Sequence, residues 1–209
     1  DVARDISRYV AIGVRAIKLK VGACTPAADA ERVRAAAETT GGGVALRLDA
    51  NRAWSFAEAK TVLAAVPPGA IDYVEEPLSL RSVTDLARLR TETGVGVAVD
   101  ESLDALGGIV VLATGGACDV VVLKPARVGG PLSTLVLARE AREHGLRVVL
   151  TDSIETAVGR SAVVHCAAAL DGEPEAVGLG GRGLLDDEPI EASLRPCGPG
   201  LTVRGESRS

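Results

Sequence analysis

Two hydrophobic periods alternate along this chain. Stretches in which Ala, Val, Leu and Ile recur every three to four residues predict helices near residues 1–12, 27–40, 55–65, 82–93, 104–114, 132–144 and 158–170. Between them, short runs rich in Val, Leu and Ala predict strands near 15–21, 44–50, 71–76, 96–100, 119–124, 147–152 and 175–179. Thr25-Pro26, Ser55 and Ser82 stand where helices start, because a hydroxyl can accept from the unpaired N–H groups of a first turn. Gly13, Gly41-Gly42-Gly43, Gly94 and Gly145 stand where helices stop. The strand runs are continuously apolar rather than alternating, as in a sheet covered on both faces. The expected fold is therefore α/β, a TIM-type (β/α)7β barrel over residues 1–190, with 191–209 as a C-terminal tail of weak periodicity. A closed barrel of this kind takes eight strands. Seven are visible, so the first is expected to be missing, since the chain opens directly on a helix pattern.

Charged residues close four of the strand runs at intervals of about 25 residues, the length that a strand, a loop, a helix and a return loop require. Asp49 follows Val44–Leu48, Glu75 follows Ile71–Val74, Asp100 follows Val95–Val99, and Lys124 follows Val120–Leu123. In a βα barrel such positions collect at one mouth, where catalytic groups gather.

Composition narrows the partners. The chain of 209 residues is 47% hydrophobic with a net charge of −5. It carries no stripe of Lys or Arg, so nucleic acid and anionic membranes are poor partners, and a small molecule fits better. Apolar runs are too short to span a bilayer and the N-terminus does not resemble a signal peptide, which together predict a cytoplasmic protein. Cys24, Cys118, Cys166 and Cys197 are scattered without metal-ligand spacing and read as small buried or half-buried thiols. His144 and His165 fall on predicted helices and read as ordinary helix-face residues.

The remaining residues carry chemistry. Lys18 and Lys20 share one face of a strand because side chains alternate with period two. A lysine beside another cation gives up its proton more readily and can serve as a base; the plainer reading is a solvated pair snorkelling to the rim. Asp49, Glu75 and Asp100 converge from three consecutive strand ends, and three confined carboxylates call for a cation. Oxygen-only ligation selects a hard ion, Mg²⁺ with Mn²⁺ as a possible substitute. The competing reading is helix capping, since Asp49-Ala50-Asn51 and Glu75-Glu76-Pro77 precede helices. Lys124 is expected across the mouth from Lys20. Asn51 and Glu101 neighbour the carboxylates and could orient them. Gly129-Gly130 and the glycines at 178, 180, 181 and 183 read as tight turns rather than phosphate loops.

Together, Lys18-Leu19-Lys20, Asp49-Ala50-Asn51, Glu75-Glu76-Pro77, Asp100-Glu101-Ser102 and Lys124-Pro125-Ala126 resemble the enolase superfamily, specifically its muconate-lactonizing subgroup, over roughly residues 13–185. The resemblance implies an N-terminal capping domain that precedes and closes the barrel, and that is expected but absent from this chain. It further implies a Mg²⁺ site at Asp49, Glu75 and Asp100, with Lys20 and Lys124 flanking a small-molecule carboxylate substrate. Thr151–Gly159 resembles the seventh-strand loop of o-succinylbenzoate synthases. This implies syn dehydration of 2-succinyl-6-hydroxy-2,4-cyclohexadiene-1-carboxylate in menaquinone biosynthesis, with Thr151 and Ser153 at the succinyl end. An N-succinylamino acid racemase, a muconate cycloisomerase and an inactive metal-binding barrel fragment remain as alternatives.

Overall fold

The computed structural model describes residues 2–80, 82–172, 175–179, 195–197 and 200–202. Its elements follow the predicted alternation: α1 (Val2–Ala11), β1 (Ala16–Lys20), α2 (Pro26–Thr40), β2 (Ala45–Asp49), α3 (Phe56–Leu63), β3 (Tyr73–Glu75), α4 (Val83–Thr93), β4 (Gly96–Val99), α5 (Gly108–Thr114), β5 (Val120–Leu123), α6 (Pro131–Glu143), β6 (Arg147–Leu150) and α7 (Ala157–Ala169), then a two-stranded antiparallel pair, β7 (Arg195–Cys197) and β8 (Gly200–Thr202). Helix starts are built by the residues that marked them. Thr25 accepts from the Ala28 N–H at 3.3 Å and Ser82 from the Asp85 N–H at 3.2 Å, while Ser55 and Glu58 cap each other's backbone reciprocally. Gly41 and Gly94 end α2 and α4 in the left-handed conformation, at φ 58° and 67°.

Six strands, β1 to β6, lie in sequence order in one sheet. By contact, the chain divides into two compact units, Asp1–Val121 with His144–Arg147, and Val122–Glu143 with Val148–Ser209.

In the first unit, the parallel register builds two faces. Leu19, Leu48, Val74 and Val97 are consecutive partners in one row, and the last three are fully buried. The rows on either side of it are polar, Lys18–Arg47–Tyr73–Gly96 and Lys20–Asp49–Glu75–Ala98. Since successive side chains point to opposite faces, both polar rows lie on the face away from Leu48 and Val74. In the lower of the two, the Arg47 guanidinium stacks 5.0 Å from the Tyr73 ring and donates to Asp72, which also receives both terminal nitrogens of Arg147 at 2.7 and 3.2 Å.

The second unit holds the end of β5, α6, most of β6 and α7. Thr151 N donates to Leu123 O at 3.1 Å, continuing the ladder past β6.

Three expectations are corrected. The helix near 104–114 begins only at Gly108, because residues 101–107 form turns, with Gly107 and Gly108 at φ 92° and 85°. The seventh strand near 175–179 is reduced to one parallel bridge, Thr151 with Gly178. Cys24 is exposed, whereas Cys118 and Cys166 are buried as expected. The 190/191 boundary and the glycines at 180, 181 and 183 lie outside the described residues. Among the described residues no helix is long and apolar enough to cross a membrane.

Candidate active site

The upper polar row brings Lys20, Asp49 and Glu75 side by side, because they are register partners on adjacent strands. Lys20 Nζ lies 2.5 Å from Asp49 Oδ2 and donates to Asn51 Oδ1 at 2.8 Å. Lys18, one layer below, reaches the same Asp49 oxygen at 3.0 Å and Glu75 Oε2 at 3.0 Å. Exposure separates the two amines. The Lys20 side chain is 62% exposed and that of Lys18 32%, while both carboxylates are at 2%, so Lys20 is the amine that an arriving molecule meets. Lys18 and Lys20 share one face of β1, and the Asp49 and Glu75 carboxylates meet their amines there. Both amines are paired with carboxylates, and Lys20 is at the same time largely exposed.

The backbone around Lys20 is held from behind. Buried Asp29, on α2, accepts from Gly22 N at 2.6 Å and from Arg32 at 2.8 Å, and Arg32 in turn donates to the Lys20 carbonyl at 2.9 Å. This clamp fixes the end of β1 in the same way that a cap fixes a helix.

Electrostatics divide the carboxylates. Burial pushes the Glu75 carboxyl up; Lys18 opposes this, but the neighbouring charges of Asp49 and Asp100 add to it, and the group is raised to about 7. Burial also acts against the charge on Asp49, yet there the Lys18 and Lys20 ammonium groups prevail and hold it below the usual range. Lys18 itself is desolvated, but Glu75 and Asp49 more than compensate and push its ammonium well above the usual lysine range. Lys18 is therefore a fixed cation here, not a group ready to lose its proton.

Asp100 follows β4 and is buried at 8% exposure. Glu76 holds its backbone in place: Glu76 Oε1 accepts from Asp100 N at 2.9 Å and Ser102 N at 2.8 Å, and Oε2 accepts from Ser102 Oγ at 2.6 Å. Arg52 forms an ion pair with Glu101 at 3.3 Å, outside hydrogen-bond geometry. Glu76 and Ser102 were not singled out from sequence. Strict alternation from Glu75 turns Glu76 to the opposite face of the sheet, and only its positive φ of 44° marks the departure.

Among the described residues no three His, Cys, Asp or Glu side chains are gathered closely enough to enclose a metal ion. The Lys18 and Lys20 amines lie against Asp49 and Glu75 instead. The donor set nonetheless fits a hard cation: three buried carboxylates with oxygen ligands only, one of them raised chiefly by burial, with the charges of the other two adding to the shift.

The other predicted residues belong to the second unit. Lys124 follows β5, half-buried, and its carbonyl accepts from Arg127 N at 2.8 Å and Val128 N at 3.1 Å. Thr151 is buried in the bridge to Gly178. Ser153 donates its N–H to Glu155 Oε1 at 3.0 Å, and its hydroxyl is buried without a hydrogen-bond partner.

Comparison with known proteins decides the family. Residues 1–204 match the family model for the enolase C-terminal domain-like family. The chain belongs to that family. Chloromuconate cycloisomerase of Pseudomonas sp. (strain P51) is 31% identical over 215 residues, covering 97% of the chain and 58% of the relative. The o-succinylbenzoate synthase of Thermobifida fusca (strain YX) is 34% identical over 203 residues, covering 96% and 62%. Muconate lactonizing enzyme from Pseudomonas putida superimposes with a TM-score of 0.79 at 27% identity, covering 97% of the chain and 61% of that structure. An L-Ala-D/L-Glu epimerase from Bacillus subtilis, at 24% identity and a TM-score of 0.84, shares the fold. This enolase-family chain thus spans about three fifths of the length of the relatives it matches.

Proposed function

We propose that this chain is the catalytic part of an o-succinylbenzoate synthase-like syn dehydratase, a carbon–oxygen lyase that removes a proton α to a carboxylate and expels hydroxide. The observation that carries the reading is the packing of two lysine amines against buried carboxylates, with Lys20 2.5 Å from Asp49 and Lys18 3.0 Å from Glu75. The Thr151–Gly159 loop and the 34% identity to the Thermobifida fusca synthase support the dehydratase in particular. The reading extends to a (β/α)7β barrel.

The Asp49, Glu75 and Asp100 carboxylates would hold Mg²⁺, or Mn²⁺ in its place, and the cation would supply positive charge against the negative charge that develops on the substrate carboxylate. Lys20, the more exposed amine, takes the α-proton in its neutral form, the free lone pair on Nζ accepting it. The C–H electrons form the new double bond as the C–OH bond breaks on the same face, and Lys20 returns the proton to the departing hydroxide, so that water leaves. Lys18, a fixed ammonium, keeps Asp49 and Glu75 aligned. Lys124 stays cationic toward the substrate, Asn51 orients Lys20, Glu101 steadies the neighbouring loop through Arg52, and Thr151 and Ser153 take the succinyl end.

The 31% identity to chloromuconate cycloisomerase supports a second reading, in which the same groups serve cycloisomerisation. The two separate in one assay of the protein with Mg²⁺. Formation of o-succinylbenzoate from the cyclohexadiene substrate supports the dehydratase. Turnover of muconate without dehydration would replace it, and interconversion of N-succinylamino acid enantiomers would identify a racemase.

A further inference from the structure

Three loops follow β2, β3 and β4, and Glu76 touches all of them. Its carbonyl accepts from Arg52 N at 2.6 Å in the loop after β2, and its own N–H donates to Ala98 O at 3.0 Å on β4. Its side chain, at 4% exposure, accepts three hydrogen bonds from the turn after β4, two from the Asp100 and Ser102 N–H groups and one from the Ser102 hydroxyl. That turn carries Asp100. Without Glu76, two buried N–H groups lose their partner, each at the cost of an unmet hydrogen bond, and the turn must rearrange to recover them. The loops after β2 and β3 are also laced independently of its side chain, by Trp54 N to Pro77 O at 3.3 Å and Ser79 N to Trp54 O at 2.8 Å. The Glu76 carboxylate is thus directed at the placement of the third loop rather than at assembly of the first two.

We infer that Glu76 is a positioning residue for the candidate site: its buried carboxylate sets the turn after β4 and thereby where the Asp100 carboxylate stands relative to Asp49 and Glu75. The inference rests on reading those three carboxylates as one cation site. Its strained backbone, at φ 44°, is consistent with a side chain turned into the structure to meet this turn rather than left on the face that alternation would assign.

The test uses Mn²⁺ titration, followed by the electron paramagnetic resonance of the free ion, together with amide hydrogen exchange at Asp100 and Ser102. In Glu76→Ala, Mn²⁺ affinity should fall by about 10- to 100-fold, as for other residues that orient metal ligands, and both amides should exchange faster. Glu76→Gln keeps an acceptor for the two N–H groups and can donate from its amide to the Ser102 oxygen, so it should restore affinity and protection close to wild type. A merely structural role would lower the melting temperature in Glu76→Ala while leaving Mn²⁺ affinity of the folded protein unchanged, and that result would overturn the inference. Should Glu76→Ala fail to fold, Ser102→Ala removes one of the three bonds, and unchanged Mn²⁺ affinity there would overturn it equally. If the wild-type protein binds no Mn²⁺, the cation reading falls, and with it the role toward that site, while amide exchange still reports whether Glu76 holds the turn.

Discussion

Lys20 Nζ lies 2.5 Å from Oδ2 of Asp49, its register partner on the next strand. The same oxygen receives Lys18 at 3.0 Å. One carboxylate oxygen thus serves two amines of unequal exposure, and this inequality assigns their work: the less exposed amine is held by two carboxylates, while the more exposed one has a single carboxylate and the Asn51 amide and can turn toward a substrate.

Substitution at the lysines should therefore separate proton transfer from charge. Lys20→Ala is expected to eliminate dehydration and solvent-deuterium exchange together, whereas Lys124→Arg should retain part of the rate because it keeps the positive charge. Turnover and deuterium incorporation measured on the same samples check this. An intact rate in Lys20→Ala would assign the base elsewhere.

Glu75 links function to pH. Its carboxyl is raised from 4.5 to about 7, so the folded state prefers the protonated form. The associated stability is fully present below pH 4.5 and is lost as pH rises through 7, amounting to on the order of 3 kcal/mol. Chelator-treated protein should therefore be less stable at pH 8 than at pH 5. Glu75→Gln should remove that slope and leave the fold intact while lowering activity by about 100-fold or more. Asp49 and Asp72 are held below 3.8 and act in the opposite sense, but at more acidic pH, so denaturant titrations at pH 5 and 8 isolate Glu75. An unchanged slope in Glu75→Gln would refute the assignment.

Much of this arrangement was legible in the chain. Thr25, Ser55 and Ser82 announced helix starts through local chemistry, and the Asp49 and Glu75 strand ends followed from apolar runs that stop at a charge. The convergence of Lys20, Asp49 and Glu75 needed only equal spacing and parallel register, which places residues at the same strand height in one row. What local pattern could not show was tertiary. Leu103 and Leu106 extend a helix-like period into residues that Glu76, through Ser102, holds in turns. Arg47, Asp72 and Arg147 are far apart in sequence and meet only because the sheet brings them together, while Glu76 is indistinguishable by type from Glu75 beside it.

Gly22 is expected to tolerate no side chain. It has φ 88°, and a Cβ there would come within 2.4 Å of the Ala53 Cβ and 2.9 Å of the Ala50 carbonyl, in the loop that carries Asn51. Gly22→Ala should cost about 1–3 kcal/mol through backbone strain and displacement of that loop. Thermal unfolding gives the cost, and because the displaced loop carries Asn51, turnover should fall at temperatures where the variant is still folded. A variant as stable as wild type would show that the two loops do not meet this closely.

Asp72 should prove costly to remove from the first unit. It accepts from Arg47 at 3.0 Å and from Arg147 at 2.7 and 3.2 Å, and these bonds, against the burial that opposes its charge, hold its carboxyl below the usual range. The two partners should differ in weight. Arg147 is 40% exposed, so its pair resembles a surface ion pair worth up to about 1 kcal/mol. Arg47 is 6% exposed and lies against the Tyr73 ring, so its bond to Asp72 is screened by water far less than that of Arg147. Asp72→Asn should therefore lose about 1–3 kcal/mol, with a fall in melting temperature of about 2–12 °C. Double-mutant cycles should assign a larger coupling energy to Asp72 with Arg47 than to Asp72 with Arg147. Equal couplings would mean that the difference in exposure does not set the strength of the two pairs.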